Sequence, residues 1–526
     1  MILSRVVSSR ATWRALILTA ALMAAGCAGS VAPQAQGPDD QAARVFNDGY
    51  DYIHDRYIRA VAADQVAMDG LRGLSDVDSS VAVSRADSKV VVSANAKPVA
   101  EFEAPQPHDT HGWAKITVDA IRAGQTAAPK LKAANDEVIY KAVFDKALEH
   151  LDRYSRYSSA EEARENRASR EGFSGIGVHI QMIEDQLKVI SVIPDTPAER
   201  AGLKRNDTLV SVDGQSVVGV GLPEVVRLLR GPAGSIVTVG VRREQVAKPI
   251  DIKIEREHII AHTVTVSRDG DVPLIRLTRF NQQTASDLEK AIDEIEQDYG
   301  QNLHGVILDL RDNPGGLLDQ AVAVSDIFLS SGRIVSTEGR HPRSFQRYEA
   351  HGGDKLSGKP LVVMINGRSA SSAEIVAAAL QDLGRAVVVG TNSYGKGTVQ
   401  SVFRLPNDGE LTLTWSRFHA PSGYTLQDLG VLPNLCTSDA HLTPDAIVRN
   451  LRDGRLQTAK TLEAWRQEAQ PNETRRQQLR ALCPQNKDTE ADRTREAEVA
   501  RRVLDDTMLY SQALKLSVPE IATRQP

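Results

Sequence analysis

Three short segments carry residues that can do chemistry together. In the first, INGRSASSAEIV, an apolar run leads into a turn of small residues and then into a helical pattern. Such a turn projects a hydroxyl outward, and the helix start offers unpaired N–H groups where negative charge develops. Three hydroxyls compete there, Ser369, Ser371 and Ser372, and helix N-capping is the plainer use of such serines. In the second, NSYGKGTVQ, Lys396 stands between Gly395 and Gly397, which permit tight backbone geometry. In the third, LDLRDNPGG, the amides of Gly315 and Gly316 follow a buried-strand pattern and a sharp turn. A serine hydroxyl is a weak nucleophile until a base takes its proton, and a lysine can be that base only when neutral. The expectation is therefore a lysine amine in a mostly apolar crevice that lowers its pKa.

These segments need a scaffold that brings them together. HGVILDL, LVVMIN and AVVVG read as strands buried on both faces. Helical patterns lie between them, one opening at Thr284 with Asp287 three residues on, one ending near Leu329, and one in AEIVAAALQDLG. This alternation is α/β layering, in which sites form at the carboxyl ends of strands. TVQSVFRL and LTLTWSRF then read as further strands. Upstream, residues 172–257 form a compact unit of short strands, with LPEVVRLLRG as a helix ending at Gly231 in the C′ position. Before that unit, helical signals run from Ala42 to Gly70 and from Glu137 to Leu151, and Ser158 or Ser159 with Glu162 caps a following helix. Residues 74–136 have a broken pattern and read as an insertion. The tail beyond Leu435 is helical, polar and rich in Arg, Gln and Glu, which reads as an accessory segment with a solvated face.

Taken jointly, the three motifs resemble the C-terminal processing peptidases, or tail-specific proteases. That family carries SASASE, with its serine three residues before the Glu and its lysine 25 residues after the serine. Glu374 fixes the register here, giving Ser371, and 371 + 25 = 396 is Lys396. The resemblance implies that Gln400 orients the lysine and that amides of Gly315, Gly316 and Ser372 hold the oxyanion. FSGIGV resembles the opening of a PDZ domain, LDRYSRYS the LDPxSRYL before it, and LGVLPN the family's GVxPD; the likeness covers roughly residues 135–435. SASASE reads SASSAE in this chain, with Ser372 in place of an alanine. The implied fold is multidomain α/β: a ClpP/crotonase-like protease core with an inserted PDZ domain and helical N- and C-terminal regions. The implied units are a lipoprotein signal peptide (1–26), a tether (27–41), a helical N-terminal region (42–171), the PDZ domain (172–257), the protease core (258–435) and a helical segment (436–526). PDZ domains add a peptide as an extra strand and hold its terminal carboxylate. The loop here would be Gly175, Ile176, Gly177 and Val178, with Ile176, Val178, Val226 and Leu229 forming the apolar pocket. The implied activity is a serine endopeptidase acting on proteins with exposed C-terminal tails. No cofactor or metal is implied, while an adaptor protein and an oligomer are left open.

Composition narrows the alternatives. The chain of 526 residues has a net charge of -5 and 5% aromatic residues, which argues against nucleic acid as a partner. No HExxH occurs, and His108 and His111 stand in a loop without further ligands. A Ser-His-Asp arrangement would have to draw on Asp309 with His351 or His419, and no spacing supports it. A catalytically inactive PDZ scaffold is the reading from a different class. At the N-terminus, Arg5, Arg10 and Arg14 precede the short apolar run Ala15–Ala25, which reads as a secretory signal. It ends in Ala24-Ala25-Gly26-Cys27, resembling a bacterial lipobox with Cys27 as the lipidated residue. That resemblance implies a periplasmic protein held to a membrane by a lipid anchor, and Ala28 implies the outer membrane. Cys436 and Cys483 are the other two cysteines, and in an oxidising compartment they are candidates for a disulfide.

Overall fold

The computed structural model describes residues 38–268, 272–467 and 472–517. The stretch read as a signal sequence, Cys27 and most of the segment read as a tether lie outside them. The last residues assigned to the tether already belong to the helix Pro38–Arg56.

The chemistry-bearing segments hang from a six-stranded sheet. Its order is Val264–Ser267, Leu274–Leu277, Val306–Asp309, Leu361–Ile365, Val387–Gly390 and Leu435–Cys436. The first pair is antiparallel and the others are parallel. The period-2 alternation of a strand sends Val306 and Leu308 to one core and Ile307 to another, so both faces are buried. The helices Thr284–Tyr299, Leu318–Asp326 and Ser372–Asp382 cover one face. Thr284 is the first residue of its helix rather than its cap, and Asp287 pairs with His262 instead of closing a capping box.

The other face is covered by the tail. Ile447, Val448, Leu451, Val499, Ala500, Val503 and Tyr510 pack on Ile307, Val362, Met364, Val387 and Val389. The segment read as accessory therefore completes the core. Its apolar residues form narrow stripes on otherwise charged helices, which is why composition concealed them. Cys436 and Cys483 are joined by a disulfide that ties the last strand to this tail.

A second sheet holds Gln346–Glu349, Arg333–Glu338, Glu410–His419 and Thr398–Arg404, with Arg156–Ser158 paired to the start of Glu410–His419. The N-terminal helices pack on this sheet through Leu405, Leu411 and Leu413. Residues 74–136, read as an insertion of short β-like pieces among loops, are more regular than that. They form a three-stranded antiparallel meander (Val81–Ala86, Lys89–Ala94, Lys97–Glu103) and an 18-residue helix, Thr110–Ala127, which buries Trp113, Thr117, Ala120 and Gly124. Ser159 caps the helix Ala160–Glu171, with Glu162 returning to the Ser159 amide at 2.9 Å.

The unit between has the sheet order Ile250–Glu255, Ile236–Arg242, Thr208–Val212, Gln186–Val192 and Val178–Ile183. Its helix Leu222–Leu229 ends on Arg230, and Gly231 is not in the left-handed region expected of a C′ glycine. A side chain at Gly231 would instead meet the Arg256 guanidinium at 3.0 Å, so close packing explains this glycine.

Candidate active site

Strand Leu361–Ile365 runs into the turn that begins the helix Ser372–Asp382, and Ser371 sits at the junction with φ 55° and ψ -115°. A non-glycine residue there is strained by about 1–3 kcal/mol, so the surroundings must hold it. Glu374 does so. Its fully buried carboxylate accepts the Ser371 amide at 2.7 Å and the Lys396 amide at 2.9 Å on one oxygen. The other oxygen accepts the Gly395 amide at 2.7 Å and the Ser393 hydroxyl. One side chain thus ties the serine turn to the lysine turn. Burial pushes the Glu374 carboxyl upward, against the pull of these donors. In the sequence Glu374 marks the register; a Glu three residues after a serine at a helix start is the signal of its structural part.

The three serines have different commitments. Ser369 is fully buried and donates to the Leu310 carbonyl at 2.8 Å. Ser372 donates to the Gly316 carbonyl at 3.0 Å. Among the described residues, the Ser371 hydroxyl donates to no acceptor, and Ser371 lines a cleft of about 340 Å³.

Lys396 lines the same cleft, as do Gln400, Gly315, Gly316 and Ser372. It follows strand Val387–Gly390, the parallel neighbour of the strand leading to Ser371, so both turns lie at carboxyl ends of adjacent strands. The amine lies 5.2 Å from the centre of the Tyr154 ring. Its pKa is lowered, first by burial and then by the Arg156 charge; Glu374 and Asp152 oppose this. The crevice departs from the mostly apolar one expected, because Arg156, Arg170 and Arg279 also line it. The expected hydrogen bond to Gln400 is also absent among the described residues. The Gln400 amide donates instead to Thr398 at 3.0 Å and Thr414 at 3.4 Å. A larger cavity of about 620 Å³, beyond Tyr154 and Thr398, contains neither Ser371 nor Lys396.

The glycine pair packs directly on the serine turn. A Cβ on Gly315 would lie 2.8 Å from the Ser371 Cβ and 2.9 Å from the Ser372 amide. The Gly315 amide donates to Asn313 Oδ1 at 2.8 Å, so it is not open to an oxyanion as expected. Asn313 is fully buried and makes this local turn, which leaves the amides of Gly316 and Ser372 without a partner among the described residues. Asp309 is fully buried and paired with Arg311 at 2.8 Å, away from any base role with His351 or His419.

A model of peptidase family S41 matches residues 271–436, and a PDZ domain model matches residues 188–243. A carboxy-terminal-processing protease of Bartonella bacilliformis is 43% identical over 303 residues, which cover 57% of this chain and 70% of that protein. The chain belongs to the C-terminal processing serine proteases of family S41. The carboxy-terminal processing protease CtpA of Bacillus subtilis is 34% identical over 50% of this chain and 56% of its own. Among solved structures, a photosystem II D1 C-terminal processing protease aligns at 23% identity and TM-score 0.38, over 74% of this chain and 92% of that one.

In the PDZ domain of this S41 protease, Gly177 has φ +90°, and a Cβ there would sit 2.3 Å from Thr196. Gly175 lies in a strand paired with Glu257–Ile259. Ile176 and Leu229 are 2% and 5% exposed and belong to the domain's core with Val189 and Val225, so they do not line an open pocket. Val178 and Val226 are half-buried and remain as apolar candidates for a peptide's last side chain.

Proposed function

We propose that this S41 protease is a serine endopeptidase in which Ser371 is the nucleophile and Lys396 its base. The observation that carries this reading is the Ser371 hydroxyl, which donates to no acceptor among the described residues, in the cleft with Lys396, whose proton affinity is already reduced. Ser371 attacks the peptide carbonyl as neutral Lys396 takes its proton. The Gly316 and Ser372 amides hold the oxyanion, Lys396 returns the proton to the leaving amine, and water resolves the acyl-enzyme. Gln400 turns toward the amine once substrate closes the cleft, because such bonds are often long or poorly aligned in the empty enzyme. The PDZ domain presents substrates by their C-terminal tails. The protein works in the bacterial periplasm, anchored through Cys27 to the outer membrane.

The test is cleavage of a protein carrying an apolar C-terminal tail. Ser371→Ala and Lys396→Ala should each abolish cleavage, whereas Ser372→Ala should retain it. Full cleavage by Ser371→Ala would overturn the assignment. A parent enzyme that binds tails and cleaves none would make the chain a PDZ scaffold.

A further inference from the structure

The charged residues lining the Ser371 cleft are all cations: Lys396, Arg156, Arg170 and Arg279, with no Asp or Glu among them. This is notable in a chain of net charge -5. Arg170 is neutralised by Glu410, whose Oε1 it shares with Arg167 at 2.9 Å. Arg156 and Arg279 make no ion pair among the described residues. Among the described residues, Arg156 donates only to the Tyr154 carbonyl at 3.3 Å, and Arg279 only to the Ser169 hydroxyl. Both are exposed at the cleft. They come from separate places in the chain, Arg156 from the strand paired to Glu410–His419 and Arg279 from the loop beside the Gly316 turn. Two guanidinium groups left without an ion-pair partner at the wall of a concave cleft form a receptor for a carboxylate. Same-sign charge in a cleft also raises the local concentration of an oppositely charged ligand.

We propose that Arg156 and Arg279 select substrates that place a carboxylate close to the scissile bond. This rests on the Ser371/Lys396 reading and adds a specificity to it. The carboxylate has two sources, an Asp or Glu side chain or the terminal carboxylate of a tail cut near its end. Both present the same planar group to the same guanidinium fork.

The experiment uses the full chain and peptides with an apolar C-terminus. Asp replaces Asn at single positions on either side of the cut, and each peptide is made with a free and an amidated terminus. The parent should favour the carboxylate-bearing peptide in kcat/KM by about tenfold, the size of a charge-assisted hydrogen bond. Arg279→Gln should bring that ratio near one while the rate on the neutral amidated peptide stays within about twofold. Arg156→Gln should also compress the ratio, read as a ratio because Arg156 acts on Lys396 as well. If Asp-to-Asn exchange moves the rate, the source is a side chain; if only amidation does and Arg279→Gln removes that effect, it is the chain terminus in the cleft, whereas an amidation effect that survives Arg279→Gln belongs to the PDZ domain and overturns the proposal for the terminus. A parent ratio near one, or a ratio unchanged in both variants, overturns the proposal. A parent that cleaves none of the peptides overturns the dyad reading and this proposal with it.

Discussion

Opening the Cys436–Cys483 bridge should loosen the lysine turn from a distance. The bond closes a loop of sequence separation 47. The loop-entropy relation for that length gives about 4 kcal/mol at 25 °C. The local consequence follows from the contacts around Cys483, which is fully buried. Arg480, three residues earlier, donates to the Leu429 carbonyl at 2.7 Å and the Ser393 carbonyl at 3.1 Å. Gln485, two residues later, reaches the same Ser393 carbonyl at 3.3 Å. Asn392 returns a bond to the Arg480 carbonyl at 2.9 Å. The bridge therefore fastens the segment that braces residues 392–396. A Cys436→Ala/Cys483→Ala variant should lose about 4 kcal/mol in a urea titration. Tail-peptide kinetics should show kcat falling more than KM rises, because the base is displaced while the PDZ domain is untouched. Dithiothreitol should reproduce both effects in the parent and neither in the variant. A urea midpoint and kcat that are unchanged in the variant would refute this account.

Other outcomes follow from the site. On the proposed role of Lys396 as a neutral amine base, kcat/KM should rise with pH along a limb lying below the ordinary lysine value. Arg156→Gln removes a charge that disfavours the ammonium form, so this limb should move to higher pH in a pH–rate profile, and an unmoved limb would exclude Arg156 as a contributor. Gly316→Ala places a Cβ about 2.0 Å from the Phe280 carbonyl, at φ 154°, so the turn must shift. Its kcat should fall about 10²-fold or more with loss of an oxyanion donor, measured against peptide binding by fluorescence, which should change little.

Much of the site was legible because its signals are local. The apolar run before Ser371, the glycines around Lys396 and the Pro-Gly turn each dictate geometry within a few residues. The sheet strands were legible because runs such as Val306–Asp309 are buried on both faces. Helix Thr110–Ala127 was harder to read: its buried face does hold Trp113, Ile116, Val118 and Ile121, but Thr117 and Gly124 interrupt the apolar pattern and a Pro-containing loop precedes it. The Glu374 clamp and the arginine-lined cleft were not legible, since Arg156, Arg170 and Arg279 meet only through tertiary pairing. Asn313 removed Gly315 from the oxyanion set by a side-chain bond that spacing cannot show.

The way the tail covers the second face of the sheet has a consequence for biosynthesis. Ser371 and Lys396 precede Tyr510 and Ala513, which help close that face, by more than a hundred residues. Until those last helices dock, Ile307, Val362 and Val387 present a bare apolar sheet to the solvent. The proposed dyad is thus written early in the message but installed late, and a prematurely ended chain carries its sequence without a platform to work from.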